Sequence, residues 1–312
     1  MEKLELFKKG CLGTCWYGKY HYLEPWAGCE HECFYCYARF RGAVKSGLKK
    51  IKASFSTPKT LFPRKELLKK IKSAAFSGRI KIVKLSRFTD IFTPRFVASG
   101  LSFEILDILS ASPVERIIIT TKGVPSPQIL SLMESRPHKF SYNFAVRPSN
   151  SFKLEENILE EKLRLSAASR AASSGILTTA HLDPFIATVD DGPCLGHLLK
   201  RLKKSGIKRA MFSYLLVSRE ILNYFEKKLG RKKTLAIEGL YDFSMERKYL
   251  PGQEDTFYFS LKPEVKAASV KKTARALREN GFEFVLCSLK SARGASQCGL
   301  NRENICDGKF YA

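Results

Sequence analysis

Strand-like and helix-like segments alternate along most of this chain, and that alternation constrains the fold more than any other feature. Short apolar stretches recur between segments whose apolar residues follow helical spacing. The predicted strands are Arg79–Leu85, Arg116–Thr121, Lys139–Val146, Ile176–His181 and Ile207–Leu215. A strand–helix–strand rhythm builds a parallel sheet with helical crossovers, so the sequence predicts an α/β fold.

Helical patterns fill the gaps between these strands and continue beyond the last of them. The predicted helices are Arg64–Phe76, Leu101–Ser110, Pro127–Glu134, Asn157–Ser174, Gly196–Ser205 and Arg219–Leu229. Five to six strand–helix units are too few for a closed eight-fold barrel but enough for an open one. The rhythm loosens after residue 234, so we expect a core over residues 1–235 and a loop-rich, cysteine-containing extension over 236–312. That extension includes one basic helix, Pro263–Asn280, and one strand, Phe282–Leu286.

The chain carries a large surplus of positive charge. Its 54 Lys and Arg outnumber its 30 Asp and Glu, which gives a net charge of +24 over 312 residues. A surplus of this size favours a polyanionic partner, most often nucleic acid, although a merely basic enzyme is the alternative. Two basic runs, Lys45–Lys72 with Phe55 and Phe62 interleaved and Lys200–Arg209, are candidate contacts, with a solvated helix face as the alternative.

Nothing in the sequence indicates secretion or a membrane. The segment Met1–Gly10 is charged and lacks the apolar centre of a signal peptide, and no stretch approaches the roughly 18 apolar residues of a membrane span. We therefore expect a soluble, cytoplasmic protein. Nine cysteines without a secretion signal favour metal binding or thiol chemistry over a disulfide scaffold.

Three of the cysteines lie close together in the segment GCEHECFYCYAR, residues 28–39. Cys29, Cys33 and Cys36 form a C-x3-C-x2-C triplet. Soft thiolate ligands select iron–sulfur clusters, zinc or Cu(I). A structural zinc site needs four protein ligands, usually from two separated pairs, whereas three ligands leave one iron of a [4Fe–4S] cluster open. His31 is the fourth ligand that a zinc site would need.

The triplet, with Tyr35 before its third cysteine, resembles the signature of radical S-adenosylmethionine (radical SAM) enzymes. The longer string PWAGCEHECFYCYAR is similar to the spore photoproduct lyase branch of that superfamily. The resemblance implies a partial (β/α)6 TIM-like barrel and a [4Fe–4S] cluster held by Cys29, Cys33 and Cys36. It also implies reductive cleavage of S-adenosylmethionine (SAM) to a 5′-deoxyadenosyl radical, with flavodoxin or ferredoxin as the reductant.

Four further residues match positions that bind SAM in these relatives. The resemblance places Tyr35, Asp90, Lys122 and Arg164 in the cofactor site, with Asp90 near the SAM amino group and Lys122 near its carboxylate. A carboxylate in a barrel mouth needs such a cation. Arg164 is expected either to pair with Glu155 and brace the site or to form an ordinary surface ion pair.

The chain departs from the family where a hydrogen donor is expected. Spore photoproduct lyases carry a cysteine just before the Ser/Thr-Asp pair, but this chain reads SRFTD there, and Ala145 replaces a serine of the next strand. A DNA-repair-like lyase that acts on nucleic acid is the leading hypothesis. The alternatives are a radical SAM enzyme for a peptide or small metabolite, and a zinc-stabilised nucleic-acid-binding protein without catalysis.

The remaining terminal cysteines leave two interpretations open. They either bind a second metal or iron–sulfur centre or are free, reduced thiols. The candidate hydrogen donors are Tyr142, Tyr214 or one of these cysteines, and the sequence does not choose among them. These cysteines are Cys11, Cys15, Cys287, Cys298 and Cys306.

Overall fold

The computed structural model describes residues 3–10, 20–148, 152–248, 257–287, 300–306 and 308–311. The strands in chain order are β1 (Phe7–Lys9), β2 (Tyr20–Leu23), β3 (Trp26–Ala27), β4 (Lys59–Thr60), β5 (Ile82–Leu85), β6 (Arg116–Thr121), β7 (Phe140–Ala145), β8 (Leu177–Phe185), β9 (Arg209–Tyr214), β10 (Tyr241–Lys248), β11 (Phe257–Leu261) and β12 (Glu283–Leu286). The helices are α1 (Gly42–Lys50), α2 (Arg64–Ala75), α3 (Pro94–Ala98), α4 (Leu101–Ala111), α5 (Pro127–Ser135), α6 (Glu161–Ser173), α7 (Pro193–Lys204), α8 (Arg219–Leu229), α9 (Arg231–Glu238) and α10 (Pro263–Glu279).

One eight-stranded sheet organises the molecule, in the order β1-β2-β5-β6-β7-β8-β9-β12. Every neighbouring pair from β2 to β12 is parallel, and only β1 runs antiparallel to its neighbour β2. Within the described ranges the sheet has two edges, β1 and β12, so it is open rather than closed. Six parallel strands, β2 to β9 of this sheet, confirm the predicted α/β fold and partial barrel.

The sheet is apolar on both faces because it has helices outside and a filled interior. In β6, Ile117 and Ile119 pack into the large core beneath the helices, whereas Ile118 packs into a second cluster with Met211 and Val285. Such two-sided burial produces continuous apolar strands. Fully burying each of these side chains contributes about 1.5–3 kcal/mol.

Each crossover helix packs against the sheet through one apolar face. In α7 the buried residues Leu195, Leu198, Leu199 and Leu202 lie at helical spacing, while basic residues cover the other face. Ser126 and Ser218 cap α5 and α8 by accepting hydrogen bonds from the backbone N–H groups of Ile129 and Ile221.

Residues beyond 235 contribute the last strand of the main sheet, and the helix and strand predicted there are both present. The strand β12 pairs in parallel with β9 as the last strand of the main sheet, and α10 precedes it as a crossover helix. The antiparallel hairpin β10–β11 interrupts the strand–helix rhythm between residues 241 and 261, which is why the sequence pattern loosens there. The main sheet therefore contains strands from both sides of residue 235, and a domain boundary at that residue stays a prediction.

The end of the described chain fills the interior of the barrel. Cys306, Phe310 and Tyr311 pack into the inner cluster, and Tyr20 donates a hydrogen bond from its hydroxyl to the carbonyl of Gly308 at 2.8 Å. These residues fill the barrel interior on the side where β2 and β9 begin, since Arg209 at the start of β9 donates to the carbonyl of Phe310 at 2.7 Å. Among the described residues, no helix is long and apolar enough to cross a membrane.

Candidate metal and cofactor site

The three cysteines of the triplet lie on the loop that follows β3. Cys29 and Cys33 are buried and Cys36 is half-buried. The backbone N–H of Cys29 donates to the carbonyl of Phe55 at 2.7 Å, and that of Phe34 donates to the carbonyl of Leu154 at 2.9 Å. These bonds fix the loop from both sides, so the thiols are positioned before any ligand binds.

Gly28, directly before the first cysteine, is required by close packing. Its φ is +91°, and a Cβ at this position would lie 2.5 Å from the carbonyl oxygen of Phe55. The carbonyl of Gly28 also accepts a 2.5 Å hydrogen bond from the hydroxyl of Thr89. Only glycine tolerates this conformation without strain at such a close approach.

A cavity of about 290 Å³ opens in front of the three thiols, at the ends of the parallel strands. The carboxyl ends of barrel strands are where active sites form. The residues on these strands, or directly after them, that line the cavity are Tyr22, Lys84, Ser86, Thr120, Thr121, His181, Asp183, Met211 and Cys287.

Burial makes the three thiols poor acids in the absence of a metal. Desolvation raises the pKa of Cys29 well above its usual range, that of Cys33 to about 12, and that of Cys36 above normal. The nearby Lys122 charge opposes this rise at Cys33 and Cys36. Three soft donors on one short loop fit a [4Fe–4S] cluster, whose positive irons would stabilise the thiolates.

Asp90 links three parts of the site. Its Oδ1 accepts hydrogen bonds from the backbone N–H of Phe92 at 2.8 Å and the hydroxyl of Thr121 at 2.7 Å. Its Oδ2 accepts one from the backbone N–H of Lys122 at 2.7 Å and lies 3.1 Å from Nε2 of His31. Burial alone would raise the pKa of Asp90, but these neighbours outweigh burial and lower it to about 2. Asp90 is therefore ionised, and its carboxylate holds the groups bonded to it in place.

Lys122 and Tyr35 meet beside the cluster thiols. The ammonium of Lys122 lies 5.3 Å from the centre of the Tyr35 ring. The hydroxyl of Tyr35 donates to Oε1 of Glu155 at 2.5 Å, and Glu155 also forms a backbone bridge with Cys33. The predicted cofactor residues Tyr35, Asp90 and Lys122 thus all line the cavity with the three cysteines.

Arg164 occupies a different place from these residues. From the first turn of α6 it donates to the carbonyl of Ala145, at the end of β7, and to the carbonyl of Leu159 at 3.2 Å. Glu155, its expected partner, is engaged by Tyr35 instead. Arg164 thus holds the end of β7, and its predicted place in the cofactor site stays a prediction.

His31 lies against Asp90 and not among the thiols. In the described part of the chain, no three His, Cys, Asp or Glu side chains are grouped closely enough to bind one shared metal ion, as a zinc site would require. A [4Fe–4S] cluster does not make that demand, since each of its cysteines binds a different iron. Of the terminal cysteines, Cys287 and Cys306 are buried in the inner cluster, whereas Cys11, Cys15 and Cys298 lie outside the described residues.

The two basic runs lie in different surroundings. In the first, Lys45, Lys49, Lys50 and Lys52 are exposed on and after α1, but Phe55 is buried beneath the Arg39 guanidinium at 4.5 Å. Phe55 is therefore not available to stack on a base. The second run ends α7 and begins β9, at the end of the barrel opposite the cavity.

Two buried charged residues at the cavity wall were not identified from the sequence. Lys84, which was not among the candidate site residues, is 9% exposed and lines the cavity. Glu24 is buried behind the cavity wall, where its Oε1 accepts hydrogen bonds from the backbone N–H groups of Arg87 and, at 3.0 Å, Phe88. The sequence feature that could have identified Lys84 is a charged residue within a strand whose other residues are apolar.

Comparisons with known proteins agree with this architecture. No protein-family model matches the chain, and no curated protein is similar to it in sequence. Among solved structures, a mutant of spore photoproduct lyase matches with a TM-score of 0.64 and 14% identity over 90% of this chain and 79% of that chain. A mutant with bound AdoMet and dinucleoside spore photoproduct matches with a TM-score of 0.63 and 13% identity over 84% and 75%. The chain therefore shares the fold of spore photoproduct lyase.

Proposed function

We propose that this protein is a radical SAM enzyme that abstracts hydrogen from a nucleic-acid substrate. The observation that carries the proposal is the convergence of Cys29, Cys33 and Cys36 on one cavity with Lys122 at the strand ends. A [4Fe–4S] cluster with SAM would supply one-electron cleavage of the sulfonium and a 5′-deoxyadenosyl radical. Reduction requires a one-electron donor such as flavodoxin or ferredoxin.

Different residues of the chain would then bind the cluster and SAM. Three cysteines would hold three irons and leave the fourth for the amino and carboxylate groups of SAM. The ammonium of Lys122, kept beside the thiols by the bond between its backbone and Asp90, is placed to pair with that carboxylate. Apolar wall residues such as Phe88, Pro184 and Leu215 help to exclude water from the reacting groups.

Two observations support nucleic acid as the substrate. The net charge of +24 favours a polyanion. In addition, the similar structures include spore photoproduct lyase complexed with dinucleoside spore photoproduct, at a TM-score of 0.59 and 13% identity. Because a non-thiol residue stands at the family's hydrogen-donor position, the proposal does not extend to repair of the spore photoproduct. Location in the cytoplasm stays a prediction.

Anaerobic reconstitution tests the proposal. After loading with iron and sulfide, the protein with dithionite and SAM should release 5′-deoxyadenosine, and Cys33→Ala should abolish the release. Cys194→Ala is the matched control, because Cys194 lies on α7 with its sulfur 3.5 Å from the carbonyl of Val189, away from the triplet. A colourless protein that retains zinc and forms no 5′-deoxyadenosine would refute the proposal.

A second metal centre among the terminal cysteines also stays a proposal. Its support is the burial of Cys287 and Cys306 within the same inner cluster. Iron counting in the triple variant Cys29/Cys33/Cys36→Ala tests it. Residual iron after reconstitution supports a second centre, and an iron-free variant contradicts it.

A further inference from the structure

The helix α1 lies directly behind the cysteine loop. Its inner side carries Val44 and Leu48, which belong to one buried cluster with Cys29 and Phe55, and the half-buried Cys36 packs against the same cluster. An α-helix with its side chains is about 10 Å across, so the outer side of α1 lies roughly that distance from the thiols. The metal site therefore comes within about one helix diameter of the protein surface at α1.

The outer side of α1 is positively charged. Four exposed lysines lie on the helix or directly after it, and we call them the α1 lysine face: Lys45, Lys49, Lys50 and Lys52. Within the described part of the chain, none of the four forms an ion pair with a carboxylate. The segment before β1 contains two acids, Glu2 and Glu5, and one further lysine, Lys3. The face therefore keeps a positive surplus even if both acids lie beside it.

The carboxylates of the cysteine loop do not cancel this charge. Glu30 pairs with Nε of Arg95 at 2.7 Å, and Glu32 pairs with Arg39 at 3.7 Å. Each acid is matched by its own arginine, so the two pairs contribute no net negative charge to the surface beside α1. An anionic partner that approaches this side of the protein is therefore attracted to it.

A hydrogen bond connects the first cysteine of the triplet to the chain beside the α1 lysine face. The backbone N–H of Cys29 donates to the carbonyl of Phe55 at 2.7 Å, and Ser54, the residue before Phe55, is exposed. Lys52 lies two residues before Ser54. An electron that arrives at this surface thus has a route of one hydrogen bond and a few covalent bonds to Cys29. A short route favours electron transfer because the rate falls steeply with distance.

The α1 lysine face lies outside the cavity where SAM and the substrate are proposed to bind. Residues 42–60 are all described and none of them lines the cavity, whereas Ala38 and Arg41 just before them do. A partner bound at α1 therefore leaves the cavity accessible. A nucleic-acid substrate, in contrast, has to place its reacting group in the cavity itself. The position of the face therefore favours an electron donor over the substrate as its partner.

We propose that the α1 lysine face is the docking surface for an acidic one-electron carrier protein. One electron passes from the carrier through the contact between Phe55 and Cys29, so the carrier is oxidised by one electron and the cluster is reduced by one. Complementary charge accelerates the encounter of two such proteins. The inference rests on the proposed function, since it requires a reducible cluster, and it names the surface that receives the electron donor.

An acidic flavodoxin, photoreduced and mixed with the reconstituted full-length protein, tests the docking surface. At low ionic strength it should reduce the quadruple variant Lys45/Lys49/Lys50/Lys52→Gln about tenfold more slowly than the wild type, and it should also bind this variant more weakly. Both differences should largely disappear at about 1 M salt, where the Debye length is about 3 Å. Replacement of the same four lysines by arginine, which keeps the charge, should preserve the wild-type rate.

The matched control removes four exposed lysines from α2, which are Lys65, Lys69, Lys70 and Lys72. The buried side of α2, with Leu67 and Ile71, packs into the large core beneath the helices and not into the cluster that contains Cys29. Flavodoxin should therefore reduce this variant as fast as the wild type. Photoreduced 5-deazariboflavin, a small uncharged reductant, should reduce the wild type and both variants at the same rate.

The outcomes separate this inference from the proposed function. Equal slowing of the α1 and α2 variants, or slowing of neither, would overturn the docking surface, and release of 5′-deoxyadenosine with 5-deazariboflavin would leave the proposed function standing. Loss of nucleic-acid binding in the α1 variant, with an unchanged flavodoxin rate, would also overturn it and assign the face to nucleic acid. Flavodoxin binding that requires the α1 lysines, in a protein without a reducible cluster, would support the surface and contradict the proposed function.

Discussion

The backbone N–H of Lys122 donates to Oδ2 of Asp90 at a distance of 2.7 Å. This bond joins the end of β6 to the loop after β5, and Oδ1 of Asp90 reinforces it by accepting from the hydroxyl of Thr121. Because His31 lies against the same carboxylate, Asp90 also connects both strand ends to the cysteine loop. The carboxylate therefore sets the distance between the cation and the thiols.

Asp90→Asn should destabilise the fold at neutral pH. A folded-state pKa of about 2 against an ordinary 3.8 corresponds to roughly 2 kcal/mol of stabilisation. Since the folded-state pKa is lowered, this contribution is complete above pH 3.8 and is lost as the pH falls toward 2. Denaturant unfolding at pH 5 should show the wild type more stable than the variant, and this difference should shrink as the pH falls from 4 toward 2. A difference that does not change between pH 4 and pH 2 would contradict the assignment.

Glu24→Gln should change the pH dependence of stability in the opposite direction. Burial raises the pKa of Glu24 from 4.5 to about 7, so the folded state holds the proton more tightly than the unfolded chain. The wild type therefore loses about 3 kcal/mol between pH 4.5 and pH 7 through this group. Glutamine keeps the acceptor for the Arg87 and Phe88 N–H groups but does not ionise. Unfolding at pH 5 and pH 8 should show a smaller decrease in the variant, and an unchanged slope would count against a buried acid here.

Gly28→Ala should disrupt the cysteine loop. The added Cβ would lie 2.5 Å from the Phe55 carbonyl oxygen, so the loop has to move. The matched control is Gly175→Ala, because Gly175 also has a positive φ, of +78°, but no atom within 4 Å of the added Cβ. We expect the control to cost about 1 kcal/mol and to take up iron normally. Gly28→Ala should take up much less iron, and equal iron in both variants would refute the packing argument.

Lys122→Met should weaken SAM binding without reducing iron content. The loss of one charge-assisted hydrogen bond costs about 1.5–3 kcal/mol, which corresponds to roughly 10- to 100-fold in the dissociation constant. Equilibrium binding of SAM to the reconstituted protein measures the effect. Lys81→Met, which removes an exposed lysine that pairs with Glu115, should bind SAM as the wild type does. Unchanged affinity in Lys122→Met would remove this lysine from the cofactor site.

The sequence predicted the parallel sheet well because strand and helix periodicities are local properties. The cysteine triplet, Asp90 and Lys122 were identified by a motif resemblance, and the structure brings them to one cavity. Lys84 was not identified as a site residue, since a barrel strand has a second buried face that no local pattern distinguishes from a solvated one.

Other features depend on contacts between distant parts of the chain. Glu155 meets Tyr35 and not Arg164, because a backbone bridge to Cys33 draws residue 155 across the cysteine loop. The strand β12 joins the main sheet beside β9, some 70 residues earlier in the chain, after the β10–β11 hairpin has interrupted the rhythm. Such pairings are set by tertiary packing and leave no periodic signal in the sequence.

The central claim is that three cysteines hold a cluster whose fourth iron is open to SAM. Electron paramagnetic resonance of the dithionite-reduced, reconstituted protein, recorded with and without SAM, tests it most directly. We predict a reduced-cluster signal that shifts when SAM is added and that is lost in Cys33→Ala. A signal that SAM leaves unchanged, from a cluster with a protein ligand on every iron, would contradict the account.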